Sequence, residues 1–193
     1  RRLLNMQHHT AQHVLTGAFV AVLGLETLSA NINGNSPSTI DLETTEVSPA
    51  NLARVENFAN GVLFENRSVK SYTVNDTEAA RIPFRKPPAV SGRIRVIEVE
   101  GFDYSACGGT HCPQTGMVGL VKILRSEHVN QKLRIHFVAG AQALEVFRDD
   151  RLDPAGAEVK ALGVARHELD DNLAGLAGAG AGNQADALSV GFE

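Results

Sequence analysis

The chain has 193 residues, enough for one domain with a small appendage, and no apolar run long enough to span a membrane. Two cysteines, Cys107 and Cys112, are too few for a disulfide framework, which points to a reducing, cytoplasmic compartment. The formal charge of −4 is uneven: residues 1–140 carry 14 Lys and Arg against 12 Asp and Glu, while residues 141–193 carry 4 against 10, so the body can host a phosphate patch and the acidic tail argues against one.

Residues 5 to about 23 predict an amphipathic helix, with Asn5 as its N-cap and Gly24 as its stop. Ala11, Val14, Leu15, Ala18, Val22 and Leu23 keep helical spacing. His9 and His13 then stand one turn apart on one face, a helical way of presenting two imidazoles to one metal. The same spacing also occurs where histidines are only solvated or hydrogen-bonded. His8 points about 100° away and fits the pair less well.

Two short strands are predicted next, about 28–33 and 38–43, joined by the turn Gly34-Asn35-Ser36-Pro37. Thr39 and Asp41 alternate with Ile40 and Leu42, so this strand has one polar face, facing solvent or lining a pocket. Ser48-Pro49 starts a second helix, with Ser48 as N-cap and Pro49 at the first helical position, ending near Glu65-Asn66-Arg67. Residues 68–74 alternate as a strand, and 76–80 form a short capped helical turn. The segment 81–88, with Pro83, Pro87 and Pro88, is extended and basic: a surface connection, or a strip for phosphates.

Residues 93–100 read as a strand with Ile94 and Val96 on its buried face and Arg93 and Arg95 on the other, although Ile97 and Val99 break the alternation. Gly101-Phe102-Asp103-Tyr104 leads into Ser105-Ala106-Cys107-Gly108-Gly109-Thr110-His111. Gln114-Thr115-Gly116 marks a turn, and 117–124 and 133–138 are apolar strands, paired antiparallel. Beyond Gly140 a helix over 141–150 is broken at Asp153-Pro154, a second is patterned over about 157–173, and 175–182 alternates Gly and Ala. The fold class is α+β, one antiparallel sheet with helices packed on one face, followed by a helical tail. The expected domains are 1–140 and 141–193, the tail packing through its leucines on the body or on a second copy as a homodimer.

Cys107 and His111 stand four residues apart around two glycines, as His9 and His13 do on the first helix. Together they offer three nitrogens and one sulfur, a set that suits Zn²⁺. Four protein ligands are the count of a closed structural site. Against that, a chain this long needs no metal staple, and the glycines leave amides that a closed site would not require. The amides near Gly108, Gly109 and Thr110 are candidate donors to a developing oxyanion.

The block His9-Thr10-Ala11-Gln12-His13, with Cys107-Gly108-Gly109-Thr110-His111 downstream, resembles the editing domain of alanyl-tRNA synthetase, and still more the free-standing alanyl-tRNA editing proteins of the AlaX type. Supporting stretches are Ser38–Leu42, Glu65-Asn66-Arg67, Arg85-Lys86-Pro87-Pro88, Gly101–Ala106 and Thr115-Gly116, over roughly residues 1–145. Threonyl-tRNA synthetase editing domains share the fold and similar His and Cys motifs. The resemblance implies hydrolysis of the ester joining a wrong amino acid to alanine tRNA, serine chiefly and glycine second. It implies zinc ligation by His9, His13, Cys107 and His111, and a place for Thr39 beside the amino-acid pocket, where it recognises a serine hydroxyl. Asn31-Ile32-Asn33-Gly34 departs from a family pattern of His-(Leu/Ile)-Gly, and Cys112 stands where Val is common. Larger members carry an N-terminal β-barrel that this sequence lacks, and the first residue is not Met, which suggests a truncated or processed chain. A competing reading is a non-catalytic, zinc-stabilised RNA-binding or oligomerisation module. A general metal-dependent hydrolase is weakened by the lack of His-Glu-x-x-His and Gly-x-Ser-x-Gly signatures.

Overall fold

A 22-residue helix, α1 (Arg2–Leu23), runs through the middle of the fold. Nearly every residue from Thr10 to Phe19 is buried, polar ones included, so the helix is covered on all sides and its apolar stripe is only part of its contact surface. In this computed structural model residues 2–34 and 36–152 are described. The helix starts three residues earlier than the N-cap signal at Asn5 suggests, and Asn5 lies inside it, packed on Gly34.

The remaining elements are β1 (Thr27–Asn31), β2 (Ser38–Leu42), α2 (Pro49–Phe64), β3 (Val69–Val74), α3 (Asp76–Ala79), β4 (Ile94–Val99), β5 (Asp103–Ala106), a 3-10 turn (Thr115–Val118), β6 (Val121–Val129), β7 (Lys132–Ala139) and α4 (Ala141–Leu152). Ser48 caps α2 by accepting from the Asn51 N–H, with Pro49 at the first turn, as the sequence predicts. Asn75 and Glu78 form a reciprocal capping box on α3.

The α+β class is present, but among the described residues the single expected sheet is two. One has the order β1-β2-β7-β6 and the other β3-β4-β5, and every pair in both is antiparallel. The inner face of the four-stranded sheet presents Ile40, Leu42, Ile135 and Phe137 to Val14, Leu15 and Phe19 of α1 and to Val55, Ala59 and Leu63 of α2. Both helices therefore cover one face. Polar residues of α1 join this core with their bonds made. His8 is fully buried, with Nδ1 2.8 Å from Ser38 Oγ and Nε2 accepting from the Ala139 N–H at 3.3 Å. Burial pushes its pKa down. It is a structural tie between α1 and both central strands, separate from the His9–His13 pair.

Strand β4 breaks alternation because both of its faces are covered, with Ile94 and Val96 buried on one and Ile97 and Val99 on the other. Ile94 and Val96 join Ala79 in a second, smaller core. Strand β5 is polar in sequence and gives no hydrophobic period; it forms because Asp103–Ala106 pairs with Val99–Val96. The strand expected at 117–124 starts at Val121, after a 3-10 turn that ends at Gly119 with φ +80°. It then runs to Val129 as the outer partner of β7. Helix α4 packs on β7. The expectations for 153–193, including a dimer-forming leucine face, lie outside the described residues. Among the described residues no helix is long and apolar enough to cross a membrane.

Candidate functional site

The two sheets meet α1 from different sides, and that brings the two ligand pairs together. His9 and His13 project from α1 with ring centroids 5.3 Å apart. Cys107 follows the last residue of β5, and His111 comes four residues later. The His111 ring lies 4.1 Å from His9 and 4.6 Å from His13, centroid to centroid. Cys107 Sγ is 3.4 Å from His9 Nε2 and 3.5 Å from His111 Nε2. One donor atom from each of His9, His13, Cys107 and His111 fits within 4.8 Å of all the others.

Local backbone makes this convergence possible at Gly109. A Cβ there would overlap the imidazole of His9, so the loop approaches α1 only because the position is glycine. The Gly109 N–H donates to Cys107 Sγ at 3.4 Å. Burial raises the Cys107 thiol, but hydrogen bonds from His111, His13, His9 and Gly109 outweigh it and draw the thiol down to about 3. His111 is pushed down to about 4, by burial first and by the nearby His13 and His9, against the pull of Cys107. At neutral pH the cluster therefore offers a thiolate and a neutral imidazole, the protonation states that metal coordination requires. His111 Nδ1 is also buried with no hydrogen-bond partner. Three imidazoles around one thiolate, with one ring nitrogen orphaned, fit a borderline-soft divalent cation.

Behind the ligands stands a carboxylate. Asp103, 1% exposed, faces His13 Nδ1 at 3.2 Å through Oδ2. Its Oδ1 accepts from Arg85 Nε at 2.7 Å, and Ser105 Oγ donates to Oδ2 at 2.8 Å. Arg85 also donates to Ser105 Oγ at 3.0 Å. Burial raises the Asp103 carboxyl, but His13 and Arg85 overcome it and hold the group ionised. Burial likewise opposes charge on His13, and Asp103 and Cys107 reverse that and raise it. Asp103 was legible only within the Gly101–Ala106 stretch, and Arg85 only within the basic strip Arg85-Lys86-Pro87-Pro88, both as parts of the resemblance and neither with a role of its own. Their pairing across 18 residues of chain has no local signature.

A cleft of about 340 Å³ opens beside the cluster. Its lining includes His9, Gln12 and His13 from α1, Ser105 to Cys107 from β5 and its exit, and the segment Arg85 to Ala89. Gln12 is largely buried and donates through Nε2 to Thr16 Oγ1 at 3.0 Å. The segment 81–88 is irregular, and its basic end forms a wall of this cleft.

The other expected site residues stand differently. Gly108 and Thr110 are exposed and do not line the cleft, and the amide of Gly109 is engaged by the Cys107 sulfur. Thr39 is not beside the cluster. In β2, Ser38, Ile40 and Leu42 face α1, so Thr39 faces the opposite side of the sheet, paired with His136 and Asn31. Its neighbours on that side are the ion pairs Asp41–Arg134, at 2.7 Å, and Glu127–His136, at 3.1 Å. Strand periodicity correctly gives Thr39 a polar face, but it does not say that the His/Cys cluster lies on the other one. Cys112 is wholly buried, its N–H donating to Thr10 Oγ1 at 2.9 Å, and is no ligand.

Residues 94–135 match the family described as the threonyl and alanyl tRNA synthetase second additional domain. The chain is 37% identical over 153 residues to an alanine–tRNA ligase of Thermofilum pendens, covering 75% of this chain and 17% of that protein. It is 39% identical over 158 residues to one of Pyrococcus abyssi, covering 78% and 17%. It is 38% identical over 167 residues to one of Thermococcus kodakarensis, covering 82% and 18%. The chain thus spans less than a fifth of the length of these relatives. Its α+β fold, the His/Cys cluster between α1 and β5, and these similarities agree: the chain resembles the second additional domain of threonyl and alanyl tRNA synthetases, and its similarity over most of its length is to alanine–tRNA ligases.

Proposed function

We propose that the chain is a zinc-dependent deacylase of mischarged alanine tRNA, acting chiefly on the seryl ester and secondarily on the glycyl ester. The observation that carries this reading is the convergence of His9, His13, Cys107 and His111 at the edge of a cleft that Arg85 and Lys86 also line. A purely structural metal needs no such cleft. The wall containing Arg85 and Lys86 suits the phosphates next to the 3′ end of a tRNA.

An aminoacyl ester is already activated, so positioning a water and stabilising the developing oxyanion supply most of what hydrolysis needs. Zinc, held by His9, His13, Cys107 and His111, would polarise the ester carbonyl or acidify a water. Asp103 fixes the ring of His13 through Nδ1, which keeps Nε2 as the face turned to the ligand cluster. Gln12, between the two α1 ligands in sequence and lining the cleft, is the polar side chain best placed to meet a small hydroxyl on the substrate. A site that hydrogen-bonds the hydroxyl of serine is left unpaired when alanine enters, and rejects it.

A second reading rests on the ligand count. Four protein donors fill a tetrahedral ion and leave no position for water, as in a structural site. Cys107→Ala separates the two. The deacylase reading expects a folded protein with lost serine release, assayed on alanine tRNA and on a short aminoacyl-RNA mimic. A variant that no longer folds, beside a wild type that does not hydrolyse the seryl ester, would establish the structural reading.

A further inference from the structure

Arg95 stands one residue before the β4–β5 pairing closes at Val96 and Ala106. Its backbone carbonyl accepts from the Cys107 N–H at 3.1 Å and carries the ladder one step further. Its side chain then turns back over the loop. Nη1 donates to the carbonyl of Cys107 at 2.7 Å and to the carbonyl of Gly109 at 2.7 Å. An arginine on a strand would otherwise keep its head in water. Here one guanidinium nitrogen spends both of its protons on two peptide units of the segment that supplies two metal ligands.

We propose that Arg95 is the positioning residue of the metal-binding loop, holding Cys107–His111 in ligand-ready geometry before any ion binds. Peptide planarity extends its reach. With the Cys107 and Gly109 carbonyls turned to Arg95, the N–H groups of Gly108 and Thr110 point away from it. The intervening Gly109 N–H goes to Cys107 Sγ at 3.4 Å. Three consecutive peptide units thus have fixed directions in a stretch with two glycines, the residues that lose most conformational freedom on ordering. On the other side the loop is stopped by the His9 ring against Gly109. Pinned between a cation and an imidazole, the loop holds its donors within 4.8 Å of those on α1. Ligands set in this way bind without the ordering cost that a loose loop would incur at the moment of binding.

The inference needs only that the centre binds zinc, whatever it acts on, and the wild-type protein checks that first. Zinc affinity is measured by competition with a chromophoric chelator for wild type, Arg95→Met and Arg95→Gln, at a temperature where circular dichroism shows each folded. Cobalt-substituted samples report coordination geometry through their absorption spectrum. Arg95→Met is expected to lower zinc affinity about 10- to 100-fold and to alter the cobalt spectrum, as loss of an outer partner of a metal ligand does. If Arg95 only stabilises the sheet, the variants melt earlier but bind zinc as wild type and keep its cobalt spectrum, and the inference is overturned. Should Arg95→Met not fold, Arg95→Gln, which keeps a shorter donor, decides: weaker zinc binding supports the role and wild-type affinity refutes it. Failure of the wild type to bind zinc would sink the deacylase reading as well, whereas equal binding by the variants removes only this inference.

Discussion

His13 Nδ1 lies 3.2 Å from Oδ2 of Asp103, so the His13 imidazole of α1, which faces Cys107 and His111, is held from behind by a buried carboxylate of β5. The same carboxylate accepts from Arg85 at 2.7 Å, which ties the basic wall of the cleft to the ligand cluster. Asp103 thus joins three segments that are remote in sequence. Asp103→Asn keeps the shape and removes the charge. Zinc affinity should fall about 10- to 100-fold while far-ultraviolet circular dichroism stays unchanged. Wild-type affinity in this variant would show that the orientation of His13 is set by helix packing alone.

Gly109 is where the loop touches α1. A methyl group at this position would overlap the His9 ring, and relieving it means moving a ligand or the loop. Gly109→Ala should cost about 1–3 kcal/mol of stability, in the range of overpacked sites, and weaken metal binding. Thermal melting and a zinc titration read the two effects. Gly108→Ala, where a Cβ meets nothing within 4 Å, is the matched control and should change neither.

Thr39 faces away from the cluster, so Thr39→Val should leave the preference for the seryl over the alanyl ester unchanged. The ratio of the two deacylation rates measures this directly. A preference reduced in Thr39→Val would mean that the outer face of the four-stranded sheet takes part in recognition.

Asp41 is held below the usual carboxylate range by its bonds from Arg134, at 2.7 and 2.9 Å, and from Ser29, at 2.9 Å. A depressed folded-state pKa contributes stability that is complete above the unfolded value and is lost as pH falls through the folded one. Wild type should therefore exceed Asp41→Asn in denaturant midpoint at pH 7. The gap should close as pH falls below the ordinary Asp value of 3.8, where protonation gives the wild type the same neutral group. A gap that persists in acid would assign the loss to packing.

The meeting of His9, His13, Cys107 and His111 was legible in sequence because each half is local. An i,i+4 pair on a helix and a Cys-Gly-Gly-Thr-His loop both state their geometry within five residues. Helix α2 and the cap of α3 were legible for the same reason: Ser48-Pro49 and Asn75-Asp76-Thr77-Glu78 are signals confined to one turn. What escaped depends on contacts distant in sequence. Strand β5 has no apolar period and exists through its pairing with β4. The burial of Thr10, Gln12 and Thr16 follows from the helix α2, the 3-10 turn and the strands packed around α1 and not from its own stripe. Thr39 shows the limit most plainly: a period of two separates the faces of a strand but does not say which one meets the site.

Deacylation by metal-loaded and metal-stripped protein tests the central claim most directly. Alanine tRNA charged with labelled serine is incubated with the protein at full zinc occupancy, and with the same protein after chelation, its fold checked by circular dichroism. The account predicts release of serine by the loaded protein, little release from the alanyl ester, loss of activity on chelation and recovery when zinc is restored. An intact seryl ester in the presence of fully zinc-loaded protein, on both the tRNA and the short RNA mimic, would contradict it.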